Sequence, residues 1–207
     1  MSGSNLPANW QAPTLSGQHV SLEALASGHL DGLRLALEGD ELSRLWYTNV
    51  PKAAEAEAWL RGALEKQAQG TEVPFVVRDS QGAVAGSTRF YDMDVSIPKL
   101  SIGYTWYAPR VQRSGLNTEA KLLLLSHAFE TLGCASVYLE TSWFNHASRA
   151  AIARLGARQD GVLRNHRRHA DGSLRDTVVF SILDNEWPGV KSNLLYKLER
   201  GARSDVR

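Results

Sequence analysis

The stretch Gln112-Arg113-Ser114-Gly115-Leu116-Asn117-Thr118 places a cation, a glycine and several hydroxyl and amide groups directly ahead of a helix that is apolar almost all round. The first turn of a helix exposes unpaired N–H groups and the positive end of the helix dipole, and together these attract an anion. Gly115 can take a positive φ or let a ligand approach the backbone, and Arg113 adds charge, so Arg113–Thr118 could cradle a phosphate or pyrophosphate. The alternative is a plain strand-to-helix turn with Thr118 as N-cap and Glu119 favoured in the first turn. One glycine does not decide between the two.

Other residues could carry chemistry as well. Asn145 and Ser148 open a short helix, where both can cap it or also face a bound molecule. Glu140 lies inside a strand in which Leu139 and Thr141 share one face and Tyr138 and Glu140 the other. A carboxylate within a sheet is costly unless paired, so Glu140 is either solvated or functional. Asp92 and Asp94 stand at a strand end, as turn residues or as a base. The basic run Arg164-Asn165-His166-Arg167-Arg168-His169 reads as a solvated hairpin edge, as a subsite for an acidic group, or as an RNA or ribosome contact. His127, on the buried helix, reads as a core histidine. Trp59, Phe75, Phe129 and Phe180 read as core, and core packing is also the first reading of Trp143, Phe144, Trp46 and Tyr47.

These groups need a scaffold. Alternation predicts a strand over His19–Leu25, and helical spacing predicts helices over His29–Glu38 and Pro51–Gln69. Strands follow over Val73–Arg78, Ala83–Tyr91 and Leu100–Tyr107, then the loop Pro109–Asn117 and a helix Thr118–Leu132. A strand Ser136–Thr141 and a helix Ala147–Leu155 come next, then a hairpin of Gly161–His169 and Arg175–Leu183 around Asp171-Gly172, and a final amphipathic helix Pro188–Arg200. This order predicts an α/β (α+β) mixed sheet, largely antiparallel, with helices on both faces. Residues 1–18 are expected to be a flexible leader, and residues 19–207 a single domain.

The bulk numbers set limits. The chain has 207 residues, 43% hydrophobic and 22% charged, with a net charge of +1. That balance argues against general DNA binding. The longest apolar run, Leu122–Leu125, is far too short for a bilayer. Cys134 is the single cysteine, which rules out an internal disulfide framework and suits a reducing cytoplasm. It stands beside Gly133 with no adjacent base, an unpromising acyl carrier.

Gln112-Arg113-Ser114-Gly115-Leu116-Asn117 resembles the Q/R-x-x-G-x-G/A pyrophosphate loop of the GCN5-related N-acetyltransferases (GNAT), and the element order resembles their fold. Asn145-His146-Ala147-Ser148, then Ala151-Ile152-Ala153-Arg154-Leu155-Gly156-Ala157 and Gly161-Val162-Leu163-Arg164, resembles the ribosomal-protein (RimJ/RimL-type) branch. The resemblance implies acetyl-CoA as donor, no metal, and a primary amine as acceptor, either a protein N-terminus or a small amine. It implies that backbone groups near Trp106 and Tyr107 pair with pantetheine, that Gln112, Arg113, Ser114, Gly115, Leu116, Asn117 and Thr118 hold the pyrophosphate, and that Asn145 contacts the cofactor. Asn117 departs from the family's Gly or Ala. The tyrosine that protonates the leaving thiolate in many members is replaced by Ile152, and Ser148 matches the serine serving this role in the ribosomal-protein branch. The usual glutamate two residues before a strand glycine is Ser101, so Asp92, Asp94 and Glu140 remain as candidate bases, Glu140 foremost, or the amine loses its proton through waters. A detoxifying small-molecule acetyltransferase and a catalytically idle acyl-CoA binder are the competing readings. The C-terminal helix covers its own sheet or a second copy in a homodimer.

Overall fold

The computed structural model describes residues 10–39 and 41–204. Among the described residues eight strands form one sheet: β1 (Leu15–Ser16), β2 (Val20–Ala24), β3 (Glu72–Asp79), β4 (Val84–Asp94), β5 (Lys99–Tyr107), β6 (Ser136–Ser142), β7 (Arg158–Arg168) and β8 (Leu174–Leu183). They lie in the order β1-β2-β3-β4-β5-β6-β8-β7. Every neighbouring pair is antiparallel except β5 and β6. The five α-helices among the described residues are α1 (Leu30–Ala36), α2 (Ala56–Ala68), α3 (Leu116–Ser126), α4 (His146–Leu155) and α5 (Trp187–Ser204).

Alternation along the strands builds two cores. Phe75 and Val77 of β3, Phe90 of β4, and Leu139 of β6 turn to the face covered by α3, α4 and α5, where Leu124, Leu155 and Leu194 meet them. Val76 and Trp106 turn the other way, toward Leu33 of α1 and Leu60 of α2. Helices on both faces therefore bury the sheet on both sides, as the element order predicts.

The structure departs from the sequence reading in several places. Residues 10–18 are not a loose leader: Trp10 is buried in the larger core and Leu15–Ser16 add an edge strand to β2. Residues 1–9 lie outside the described residues. The side chain of Glu119 secures this segment by accepting hydrogen bonds from the backbone N–H groups of Gln18 (2.8 Å) and His19 (2.6 Å). Helix α3 begins at Leu116, not Thr118, and gives way to a π-helical turn over His127–Thr131. The last hairpin closes between His169 and Ser173 with Gly172 at φ +84°, a longer loop than the two-residue turn that Asp171-Gly172 suggests. Helix α5 runs on to Ser204, past the predicted end.

Candidate functional site

Strands β5 and β6 pair over only three residues: Lys99 with Ser136, Leu100 with Val137, and Ser101 with Tyr138. Beyond these they part. The register of β4 with β5 explains the departure. Ser87 faces Trp106 and Arg89 faces Gly103, so β5 carries one extra residue there, and Tyr104 sits at φ +52°. Such a bulge bends its strand and re-aims its side chains. Gly103 makes room for the adjoining Tyr91, whose ring carbon would lie 2.7 Å from a Cβ at that position.

The gap is a cavity of about 460 Å³ that is lined from both faces of the sheet. Asn117 and Lys121 of α3 and Ser148 and Ile152 of α4 line it on one side; Tyr47, Trp59, Tyr91 and Arg175 line it on the other.

The loop ahead of α3 is built differently from its sequence reading. Gly115 is the N-cap at φ −65°, a helical value open to any residue. The left-handed residue is Arg113, at φ +62°. Gly115 is instead favoured by a close neighbour, since a Cβ there would stand 3.1 Å from the His19 ring. Thr118 lies within the first turn, so it is not the cap. Leu116 points its side chain into the core. Ser114 braces the turn by donating its hydroxyl to the Val111 carbonyl at 2.6 Å. Gln112 and Asn117 line the cavity, whereas Arg113 and Ser114 are exposed beside it. Trp106 and Tyr107 line it from β5. The Gln112 side-chain amide donates to the Tyr107 carbonyl at 3.2 Å, and the Tyr107 hydroxyl is buried with no hydrogen-bond partner among the described residues.

Asn145 caps α4: its side-chain oxygen accepts the Ser148 backbone N–H at 3.0 Å. Asn145 and Ser148 both line the cavity. Ile152 is buried and also lines the cavity.

Lys121 is the residue that sequence reasoning missed on this side. It interrupts the apolar run Ala120–Leu125 and is 6% exposed. Its ammonium donates to Thr105 Oγ1 at 3.0 Å, and Thr105 in turn shares a 2.8 Å hydrogen bond with Thr88. Burial pushes the ammonium down to about 7. The signal is legible in the sequence, because a lysine inside a leucine-rich buried helix needs a reason.

On the α1–α2 face, Glu140 is held by Arg167, with Nη2 3.0 Å from Oε2. Arg167 lies directly opposite Arg175 across the β7–β8 hairpin, and all three residues line the cavity. Tyr91, buried there, has its phenol pushed up, mainly by burial and then by the Glu140 charge. Next to them Arg89 forms a buried ion pair with Glu72 and lies over the rings of Trp59 and Tyr104, 4.9 and 4.8 Å from their centroids. Trp59, expected in the core, packs with Trp106 and also lines the cavity.

Other candidates fall elsewhere. Asp94 binds the turn residues Ser96 and Ile97, and Asp92 is exposed at φ +49°; neither lines the cavity. His127 is buried against Phe90, and burial lowers its pKa. Burial raises the Cys134 thiol to about 11, which disfavours a nucleophilic thiolate. The basic run splits: Arg164 pairs with Asp176, Arg168 donates to the Gly172 carbonyl, and Arg167 turns to the cavity. His169 is buried beside Trp46, which also packs on Tyr47 and Phe144. Trp143 carries Arg149 over its ring.

The acetyltransferase (GNAT) domain family matches residues 19–158, about two thirds of the chain. This chain belongs to that family. A T. thermophilus protein described provisionally as an acetyltransferase is similar at 35% identity and a TM-score of 0.80, over 91% of this chain and 99% of that one. YdaF of Bacillus subtilis, named provisionally as a ribosomal N-acetyltransferase, is 32% identical over 110 residues. That match spans 53% of this chain and 59% of YdaF. Mycobacterium smegmatis RimJ, solved with CoA-disulfide, is similar in fold alone, with a TM-score of 0.75 at 19% identity over 91% of this chain and 96% of that one. No helix among the described residues of this GNAT domain is long and apolar enough to cross a membrane.

Proposed function

We propose that this GNAT domain is an acetyl-CoA-dependent N-acetyltransferase that passes acetyl directly to a primary amine within the β5–β6 gap. The observation that carries the reading is the cavity itself. It opens through the sheet, with the α3 loop and the α4 cap at one face and an aromatic, charged chamber at the other, so two substrates can enter from opposite sides.

The residues present suit an acyl-CoA. After Ser101 the inner edge of β5 is left without a strand partner, and an extended chain with amide groups can pair there as an added strand would. Trp106 and Tyr107 offer backbone for this. The first-turn amides of α3, from Gly115 to Thr118, with Arg113 and Gln112 beside them, suit a pyrophosphate. Asn117 fits this cradle in a helical conformation. Asn145 orients α4 so that Ser148 faces the gap.

Acetyl-CoA supplies the acetyl group as a thioester. The Ser148 hydroxyl is assigned the proton that the departing sulfur needs. Glu140, one oxygen held by Arg167, has its other oxygen to hold or deprotonate the acceptor amine. The rings of Tyr91, Tyr104, Trp59 and Tyr47 favour a compact acceptor, either a small amine or a single N-terminal residue of a protein. The likeness to YdaF supports the second. This reading places the protein in the cytoplasm, in keeping with its unpaired Cys134. Exposed Leu195 and Tyr196 on α5, with Leu183 nearby in sequence, support a homodimer.

Thiol release from acetyl-CoA across a panel of small amines and N-terminal peptides tests the reading. Turnover with at least one class is expected. Tight CoA binding without turnover on any amine would overturn it and leave an acyl-CoA binder.

A further inference from the structure

The amine end of the cavity holds more positive charge than its own carboxylates neutralise. Strand β8 turns Arg175, Thr177 and Val179 to the same face as Glu140 and Ser142 of β6, since Glu140 pairs with Val179 and Ser142 with Thr177. Arg167 of β7 pairs with Arg175 on that face. Two guanidinium groups thus flank one carboxylate. Arg167 takes Glu140 at 3.0 Å. Arg175 has Nε buried with no hydrogen-bond partner among the described residues, and its side chain lines the cavity. Glu72, the other carboxylate close by, is bound to Arg89 and Lys66.

Arg175 is half-buried with its Nε enclosed, a poor place for a guanidinium unless something answers its charge. Burial and the neighbouring Arg167 both work against ionisation of Arg175, and Glu140 only partly offsets them; Tyr91, Tyr104 and His169 are further ionisable neighbours. A guanidinium presents a planar fork of donors that matches a carboxylate or phosphate. The Arg175 Nε–H is one tine of that fork without an acceptor.

We infer that the acceptor is an amine that itself carries an anionic oxygen group, with Arg175 as the residue that selects it. This rests on the acetyl-transfer reading above and narrows it. The acceptor's amine lies toward the second oxygen of Glu140 and its anion toward Arg175, so one molecule engages both ends of the chamber. The aromatic rings around them exclude water and strengthen both contacts. Neutral amines of the same size leave the enclosed Arg175 Nε–H unanswered, the arrangement by which a polar site rejects an analogue lacking one group.

Matched acceptors that differ only in the anion test this: β-alanine against β-alaninamide, phosphoethanolamine against ethanolamine, and an N-terminal Ser-Glu peptide against Ser-Gln. Thiol release is followed for the wild type, Arg175→Gln and Arg175→Lys. The wild type is expected to favour the anionic member of at least one pair by tenfold or more in kcat/KM, mainly through KM. The pair that shows the preference tells carboxylate from phosphate. In Arg175→Gln the preference is expected to fall to about one, and Arg175→Lys is expected to recover part of it. CoA affinity by calorimetry reports that the variants are folded. Turnover of neutral amines as good as that of anionic ones, or an undiminished preference in folded Arg175→Gln, would overturn the inference while leaving acetyl transfer standing. No turnover with any amine would overturn both.

Discussion

Replacing Lys121 by methionine should stabilise the protein, and should do so while the lysine is charged. The ammonium is 6% exposed and has Thr105 Oγ1 as its hydrogen-bond acceptor, and burial moves it from 10.5 to about 7. Holding a lysine that far down costs the folded state on the order of 5 kcal/mol at low pH. The sign follows from proton counting. Below pH 7 the folded and unfolded chains both carry the proton, and the folded state bears the whole penalty. Between pH 7 and 10.5 the unfolded chain keeps the proton while the folded chain gives it up, so stability rises with pH across that window. Methionine has a similar length and removes this dependence. It forfeits one hydrogen bond, worth about 1 kcal/mol, and leaves Thr105 its partner Thr88. The net gain at pH 6 is about 2–4 kcal/mol, which in a chain of this size raises Tm by roughly 5–15 °C. Urea denaturation of both proteins at intervals from about pH 6 to 9.5 measures it. The gap should be widest at the acid end, begin to narrow above about pH 7 and approach closure only near the top of the range. A gap that is the same at both ends, or a methionine variant that is less stable at the acid end, would refute the reasoning.

Four further outcomes are expected. Ser148→Ala should lower kcat by more than tenfold while leaving acetyl-CoA KM within a factor of three in steady-state assays; an unchanged kcat would return Ser148 to a structural role. Asn145→Ala should cost about 1 kcal/mol of stability from the lost α4 cap, read by thermal melting. Gly115→Ala should cost less than about 1 kcal/mol, because its φ is already helical and only the His19 ring must yield; a much larger loss would restore the idea that this glycine needs a special backbone conformation. Arg89→Ala should cost about 3–5 kcal/mol by leaving the buried Glu72 carboxylate with Lys66 as its remaining cation, again by denaturation.

Much of the fold is legible because its signals are local. The hydrophobic period places α2 and β6 close to where they lie, and Gly70 and Gly156 end their helices at positive φ. What stays hidden depends on partners distant in the chain. Trp10 and Leu15 look like a polar leader until β2 and the core supply neighbours more than a strand away. The glycine of the loop ahead of α3 is legible as a requirement but not as the right one. Its constraint is the ring of His19, far earlier in the chain, whereas the left-handed residue is an arginine whose side chain announces nothing about φ.

The same division runs through the site. Ser148, Asn145, Gln112 and Asn117 can be found because they belong to short contiguous patterns, and all four line the cavity. Glu140 can be found from its side of the strand, but its meaning changes once Arg167 is seen to hold it. Arg175 cannot be found at all, because its significance is a matter of register. One residue's slip in the β7–β8 hairpin would turn it away from Glu140 to the opposite face of the sheet. The bulged segment between Leu163 and Arg167 sets that register, with Asn165 at φ +52° and its backbone N–H bound to Asp176. Asp176→Ala removes the anchor without touching the cavity. Because the charged chamber depends on that register, this change on the opposite face of β8 should weaken the preference for anionic acceptors along with hairpin stability. Kinetics on the matched acceptor pairs would show it, and an intact preference in a destabilised variant would separate the chamber from the hairpin that carries it.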